Sequence, residues 1–291
     1  MMLCQTMPNI RELITVATHR LALSGVATPH LDAEVLLANA IGQNRTYIFT
    51  NGTAPITKQH QEKYASFLKR RSDREPVAYI VGEKEFWSLP FKVNRSVLIP
   101  RPETELLVEK AIAITQNNTD NDIRILEIGT GSGAISCALA NELKNCRITA
   151  TDISPVALEI AIQNACALNV ADKINFVESD IFEAVNSVFD MIISNPPYIA
   201  ATEYANLMRD VKDYEPKEAL IAGNDGMCFY RAIIRQAHEF LTANGWLVME
   251  IGAQQKTNIA EIFEASGRYE EVKFYKDGFN DWRVVKAKKK E

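Results

Sequence analysis

An apolar run at residues 123–128 ends in Glu127-Ile-Gly129-Thr-Gly131-Ser-Gly133, and a helix-like segment, 134–143, follows at once. Three alternating glycines where a strand hands over to a helix restrict the chain to few architectures. Glycine takes positive φ without a Cβ clash, so such a turn lies flush against a ligand while the helix start offers unpaired N–H donors. This is the opening unit of a parallel α/β sheet that binds a nucleotide-like molecule at its edge.

The alternation continues. Strand-like 147–151, helix-like 155–169 and strand-like 174–177 and 189–194 follow, then a helix over 227–241, a strand at 246–251, a helix near 257–265 and strands around 271–275 and 282–285. The last two are spaced for an antiparallel hairpin through Asp277-Gly278. The expected fold class is therefore α/β, with helices on both faces of the sheet.

The first 74 residues read as all helical. Ile10, Leu13, Ile14, Ala17 and Leu21 recur at helical spacing, and Thr28-Pro29 looks like an N-cap followed by proline at the first helical position. That second helix carries Leu31, Val35, Leu36 and residues 38–41 up to Gly42, and a third begins at Thr57 with Tyr64, Phe67 and Leu68 on one side. Glu75-Pro76 breaks the pattern. Two β-rich segments, 77–81 and 86–93, then read as a hairpin around Gly82, a helix covers 102–116, and the polar stretch 116–122 reads as an exposed loop. Three parts are expected: a helical substrate-recognition domain at 1–74, a β-hairpin linker at 75–95 and a catalytic domain at 96–291.

Composition narrows the function. No apolar run approaches the ~18 residues of a membrane span, and the first 13 residues lack the basic start and apolar stretch of a signal peptide. Five cysteines, at 4, 137, 146, 166 and 228, and four scattered histidines show no metal-ligand spacing, so reduced thiols, no metal and a cytoplasmic setting are expected. The charge is uneven: residues 1–95 carry +4 and residues 96–291 carry −9. An acidic catalytic part disfavours direct nucleic-acid binding. The nearest basic cluster is Lys69, Arg70, Arg71 and Arg74, which on charge grounds would meet an acidic protein partner.

The glycine turn alone leaves the ligand open, because Gly129, Gly131 and Ala134 also satisfy the dinucleotide pattern. Asp152, at the end of the next strand, is placed to accept the hydroxyl protons of an adenosine ribose in either case. Glu127 separates the two: a carboxylate beside the turn repels a pyrophosphate but suits S-adenosyl-L-methionine, which is cationic and has no phosphate. A second motif, Asn195-Pro196-Pro197-Tyr198, follows strand 189–194, at the sheet edge where α/β ligands bind.

Together, the glycine turn, Asp152 and Asn195-Pro-Pro-Tyr198 resemble class I S-adenosylmethionine-dependent methyltransferases that methylate a planar, conjugated NH2. Glu75-Pro-Val-Ala-Tyr79, Glu85-Phe-Trp-Ser-Leu-Pro90, Leu98-Ile-Pro-Arg-Pro-Glu-Thr-Glu105, Tyr214-Glu-Pro216 and Asp225-Gly226 narrow the resemblance. They are similar to the protein-(glutamine-N5) methyltransferases of peptide chain release factors, the PrmC/HemK family, over roughly residues 10–285. The resemblance implies a small helical domain, a hairpin and a Rossmann-like, seven-stranded, mostly parallel sheet with an antiparallel last strand. It implies cofactor contacts from Glu127, Gly129, Thr130, Gly131, Ser132, Gly133, Asp152, Ile153, Asp180, Ile181 and Asn195; some relatives have Trp where Ile181 stands. It also implies the glutamine of a Gly-Gly-Gln motif as target, and a monomer is expected.

An amide nitrogen is a poor nucleophile and must be oriented. The side-chain oxygen of Asn195 and the carbonyl of Pro196 can each accept one N–H, Pro197 keeps the preceding residue extended, and Tyr198 either packs on the flat amide or walls the pocket. No general base is assigned. The connection from Tyr198 to Asp225 is long enough to cover a substrate. Other readings stay open: an adenine-N6 methyltransferase of DNA or RNA gripping a flipped base with the same four residues, a noncatalytic adapter, and an NAD-dependent dehydrogenase.

Overall fold

The computed structural model describes residues 7–115 and 122–291, so most of the loop expected at 116–122, and Cys4, lie outside the described residues. The chain divides into two compact units, Met1–Gly82 with Met208–Tyr214, and Glu83–Leu207 with Glu215–Glu291. In the first, α1 (Ile10–Leu23) starts from a reciprocal capping box between Asn9 and Glu12, and α2 (Pro29–Ile41) has proline at its first turn. The Thr28 side chain caps no backbone N–H there; its hydroxyl donates to Asp32 at 2.8 Å. A short helix not among those expected, α3 (Arg45–Thr50), follows, capped by Asn44. The next helix, α4 (Lys58–Ser72), turns Tyr64 and Leu68 into a core with Leu21, Leu36 and Leu37.

Residues 77–81 are helical, not a strand. Despite three β-branched residues, α5 (Val77–Val81) is enforced from both ends: Pro76 presets its entry, and Gly82, at φ 86°, closes it by donating to the Ala78 carbonyl at 2.7 Å. The Arg70 guanidinium satisfies the Tyr79 carbonyl, at 3.2 Å, while Tyr79 and Ile80 are buried. Tertiary burial and end-capping outweigh a weak β preference.

The hairpin of the second unit is therefore β1 (Glu83–Phe86) with β2 (Leu89–Lys92), joined by Trp87-Ser88. Both turn residues have positive φ, 53° and 57°, as a twist-matched two-residue hairpin turn requires. Trp87 is held there by hydrogen bonds to Glu105 and Glu142. A short 3₁₀ turn leads into α6 (Glu105–Thr115). The chain then alternates β3 (Ile123–Ile128), α7 (Ala134–Glu142), β4 (Cys146–Asp152), α8 (Pro155–Ala167), β5 (Ile174–Glu178) and β6 (Phe189–Ser194). After α9 (Arg209–Lys212), in the segment grouped with the first unit, come α10 (Cys228–Phe240), β7 (Leu241–Glu250), α11 (Lys256–Ser266), β8 (Tyr269–Lys276) and β9 (Trp282–Lys289).

The sheet order is β5-β4-β3-β6-β7-β9-β8, parallel except that β9 runs antiparallel to both its neighbours. Period-2 alternation sends Ile125, Ile193 and Val248 to a core with α6, α7 and α8, and Leu126, Ile192 and Leu247 to a core with α10 and α11. Strand order reverses between β3 and β6. That switch point, outside the carboxyl ends of the strands, is where an open α/β sheet binds ligands.

The basic cluster of the first unit is largely ion-paired within the fold. Buried Arg71 pairs with Asp32 at 2.7 Å and Asp210 at 2.8 Å, Arg74 pairs with Asp210 and the Gly25 carbonyl, and Arg70 pairs with Glu75 at 2.8 Å. Three of the four cations are therefore ion-paired within the unit, Arg71 buried, Arg74 and Arg70 partly so, and Lys69 is exposed. Removing one partner of a buried ion pair typically costs ~3–5 kcal/mol. Arg71→Met is accordingly expected to lower the urea midpoint of the first unit's unfolding by that equivalent, while Lys69→Glu moves it by less than ~0.5 kcal/mol.

Candidate active site

Ile128 and Ser194 are register partners at the ends of β3 and β6, and the Ser194 hydroxyl donates to the Ile128 carbonyl at 2.8 Å. The glycine turn and the Asn195 motif therefore leave the sheet side by side. Between them and the loops after β4 and β5 lies a cavity of about 650 Å³, within the range of small-molecule sites. Its walls include Gly129, Gly131, Asp152, Ile153, Asp180, Ile181, Asn195, Pro196 and Pro197 from the sequence reading.

Gly129, Gly131 and Gly133 all have positive φ, 73°, 54° and 80°. A Cβ built on Gly129 or Gly131 would meet no protein atom within 4 Å, whereas on Gly133 it would press on Ala161 at 3.0 Å. The first two glycines thus open the turn to the cavity, and the third lets α7 pack against α8. Buried Asn164 supports the turn from below, donating to the carbonyls of Ser132 at 2.8 Å and Lys92 at 3.1 Å.

Asp152 is prepared for a ligand. Its carboxylate accepts from the N–H of Gly131 at 2.8 Å and of Ser154 at 3.0 Å. Burial raises its pKa, and these backbone donors act against that rise. Ile181 reaches the same cavity from a left-handed backbone, φ 50°, a strained conformation for a β-branched residue. Its carbonyl accepts from the Ser179 hydroxyl, which itself caps Ala184 N–H.

Glu127, Thr130, Ser132, Gly133 and Tyr198 stand outside the cavity-lining set. Glu127 shares the strand face of Ile125, so its side chain runs under the turn toward α7. There Oε2 accepts from Thr130 Oγ1 at 2.7 Å, from Ser136 N–H at 3.1 Å and from the Ser136 hydroxyl, while Oε1 is buried without a hydrogen-bond partner. Tyr198 packs against the core shared with α10, and its carbonyl accepts from Gln255 at 2.8 Å.

Asn195 is held by residues that the sequence reading assigned no site role. Its Nδ2 donates to Thr104 Oγ1 at 3.2 Å, and Thr104 donates to Oε2 of buried Glu250 at 2.6 Å. Glu250 is the lone carboxylate in the otherwise apolar run 246–251, a signal readable from sequence, and Thr104 lies inside the segment 98–105. A second pairing, Arg101 with buried Glu215 at 2.6 Å, joins that segment to residues 214–216, and Pro216, Glu218 and Ile221 return to line the cavity. Among the described residues no cluster of three or more His, Cys, Asp or Glu could hold a metal, and the four described cysteines are free thiols. No helix there is long and apolar enough to cross a membrane.

A seven-stranded sheet in this order, with a glycine turn and an acidic β4 terminus at its switch point, defines a class I methyltransferase. Residues 12–82 match the PrmC N-terminal domain and residues 103–211 the methyltransferase small domain. The chain is 43% identical to a release factor glutamine methyltransferase of Salmonella typhimurium, over 89% of this chain and 91% of that protein. It is 39% identical to one of Fusobacterium nucleatum, over 96% of this chain and 78% of the relative. A methyltransferase from Pyrococcus furiosus shares the fold, with a TM-score of 0.51 at 21% identity over 79% of this chain and 100% of that one. The chain belongs to the release factor glutamine methyltransferase family.

The buried carboxylate under the turn has a pH signature. Burial pushes Glu127 up to about 7 from an ordinary 4.5, with the Ser136 and Thr130 hydrogen bonds opposing the rise. The folded state then binds this proton more tightly than the unfolded one, so Glu127 costs nothing below pH 4.5 and costs progressively more up to about pH 7. Glu127→Gln is expected to gain stability over wild type across that window, on the order of a few kcal/mol at pH 8. Urea titrations from pH 5 to 8 read the difference; parallel curves would refute it.

Proposed function

We propose that the cavity binds S-adenosyl-L-methionine and that the chain methylates the side-chain amide nitrogen, N5, of the glutamine in the Gly-Gly-Gln motif of class 1 peptide chain release factors. The observation that carries the reading is Asn195 in the cavity wall beyond β6, with Nδ2 engaged and no partner on Oδ1 among the described residues. A free amide oxygen beside a ribose-binding carboxylate and a glycine cradle is what transfer to a planar NH2 requires. The relatives' shared name supplies release factors as the substrate.

The residues fit this cofactor. Open space above Gly129 and Gly131 admits a ligand against the backbone, and the preoriented Asp152 carboxylate suits two ribose hydroxyls. When bound, the cofactor supplies a methyl group activated on a sulfonium. Ile153, Asp180 and Ile181 line the proposed adenosine end, Ile181 offering an aliphatic wall. Thr130, Ser132 and Gly133 shape the turn, and Glu127 acts through Thr130 and Ser136 instead of touching the ligand.

For the target amide, Asn195 Oδ1 and the Pro196 carbonyl take the two N–H groups and stabilise the positive charge that nitrogen gains. Pro197 restricts Pro196 to an extended conformation, which aims that carbonyl. Tyr198, packed against the core, braces the turn through its carbonyl contact with Gln255. The connection that returns through Pro216, Glu218 and Ile221 walls the proposed amide channel. The oriented amide needs no strong base, because its proton leaves readily once the nitrogen is alkylated.

Mass spectrometry of release factors incubated with the enzyme and cofactor should place one added methyl on the Gly-Gly-Gln glutamine, with duplex DNA unmodified in a parallel reaction. Asn195→Ala is expected to lower that transfer ~10²–10³-fold while cofactor affinity holds. Asp152→Asn should do the reverse, weakening cofactor binding by ~1.5–3 kcal/mol in calorimetry. Methylation of DNA alone would overturn the assignment.

A further inference from the structure

The hydrogen bonds behind Asn195 settle a question that its side chain alone leaves open. A carboxamide has two nearly isosteric ends, and only one orientation turns the acceptor oxygen toward a target NH2. The other would set donor against donor. What selects between them is the proton inventory of the two groups behind it. An ionised Glu250 can only accept, so Thr104 must spend its single hydroxyl proton on Oε2, across 2.6 Å. Thr104 then has only lone pairs left for its other neighbour. Asn195, 3.2 Å away, has to donate through Nδ2.

We propose that Thr104 and Glu250 are positioning residues that hold Asn195 Oδ1 toward the target amide through the relay Asn195 Nδ2–H to Thr104 Oγ1–H to Glu250 Oε2. The inference rests on the amide-methylation reading of the cavity. Burial makes the relay rigid: Thr104 is 4% exposed and Glu250 2%, so water does not compete for either group. The relay also spans distant parts of the chain, since Thr104 precedes α6 and Glu250 ends β7. Neither touches the cavity, so both act only through Asn195.

The same inventory makes the relay sensitive to protonation. A protonated Glu250 donates to Thr104, whose hydroxyl proton is then free to serve Asn195 Oδ1, and the selected orientation loses its advantage. The charged and titratable groups around Glu250 are Arg283 of β9, Arg101 and Glu103 ahead of α6, Tyr198 beyond β6 and Tyr230 of α10. Burial is the largest influence on Glu250 and lifts it to about 7, with the Thr104 hydrogen bond and the two arginines opposing. Activity is therefore expected to rise with pH as Glu250 loses its proton.

The test combines methyl-transfer kinetics on a release factor with side-chain amide NMR of the full chain. Thr104→Val is expected to lower kcat about 10- to 100-fold with unchanged cofactor affinity, and Thr104→Ser, which keeps the hydroxyl, to restore most of it. Wild type should show an acidic limb in kcat with a midpoint near that of Glu250, and Glu250→Gln should flatten it. The Asn195 carboxamide resonances, assigned by their loss in Asn195→Ala, should titrate with the same midpoint in wild type and not in Glu250→Gln. The NMR arm needs no turnover, so it judges the relay even if wild type transfers no methyl group, a result that would sink the amide-methylation reading instead. An Asn195 resonance that ignores pH in wild type, or Thr104→Ser as impaired as Thr104→Val, would overturn the relay.

Discussion

The pairing of Ile128 with Ser194 across the switch point is the constraint from which the site follows. Strands β3 and β6 are 66 residues apart in sequence at these positions, yet their parallel register sets the glycine turn beside the Asn195 motif, and the Ser194 hydroxyl fastens the two strand ends. A slip by one residue would invert both faces and send Glu127 and Asn195 to the wrong sides. The pairing of β3 with β4 on the other side, Ile128 opposite Thr151, likewise brings Asp152 to the Gly131 N–H.

Two buried carboxylates, Glu127 and Glu250, stand behind the cavity on the same side of the sheet. Each organises a hydroxyl that in turn organises the site: Thr130 in the turn, and Thr104 behind Asn195. Buried ionisable groups of this kind are costly, and their hydrogen bonds only partly offset the burial. What they contribute is orientation, because a carboxylate that can only accept leaves each neighbouring hydroxyl one choice of direction. The strained Ile181 backbone is a further local cost borne at the cavity wall by a well-packed core behind it.

The cation cluster of the first unit owes its place to ion pairs. Glu75 pairs with half-exposed Arg70, and Asp32 and Asp210 with Arg71 and Arg74. Asp210 is 139 residues beyond Arg71, so no local pattern advertises the pairing. The helical turn at 77–81 is a comparable case, since its residues favour strand and only the Pro76 and Gly82 ends and the burial of Tyr79 and Ile80 make it helix.

Local pattern determined a large part of this protein. The 3.6- and 2-residue periodicities, the alternate glycines and the prolines after Asn195 act over a few bonds, so they place the strands, helices and sheet-edge motifs without reference to the rest of the chain. Asp152, Asn195 and the glycine turn were legible for that reason. Only the tertiary structure decided which side chains face the cavity and which hide behind it. Glu127 turned under α7 because strand parity put it there, and Thr104 and Glu250 met behind Asn195 because α6 packs on β7. Hydrogen bonds between groups 91 and 146 residues apart leave no periodic trace in a sequence, and they are what orients Asn195.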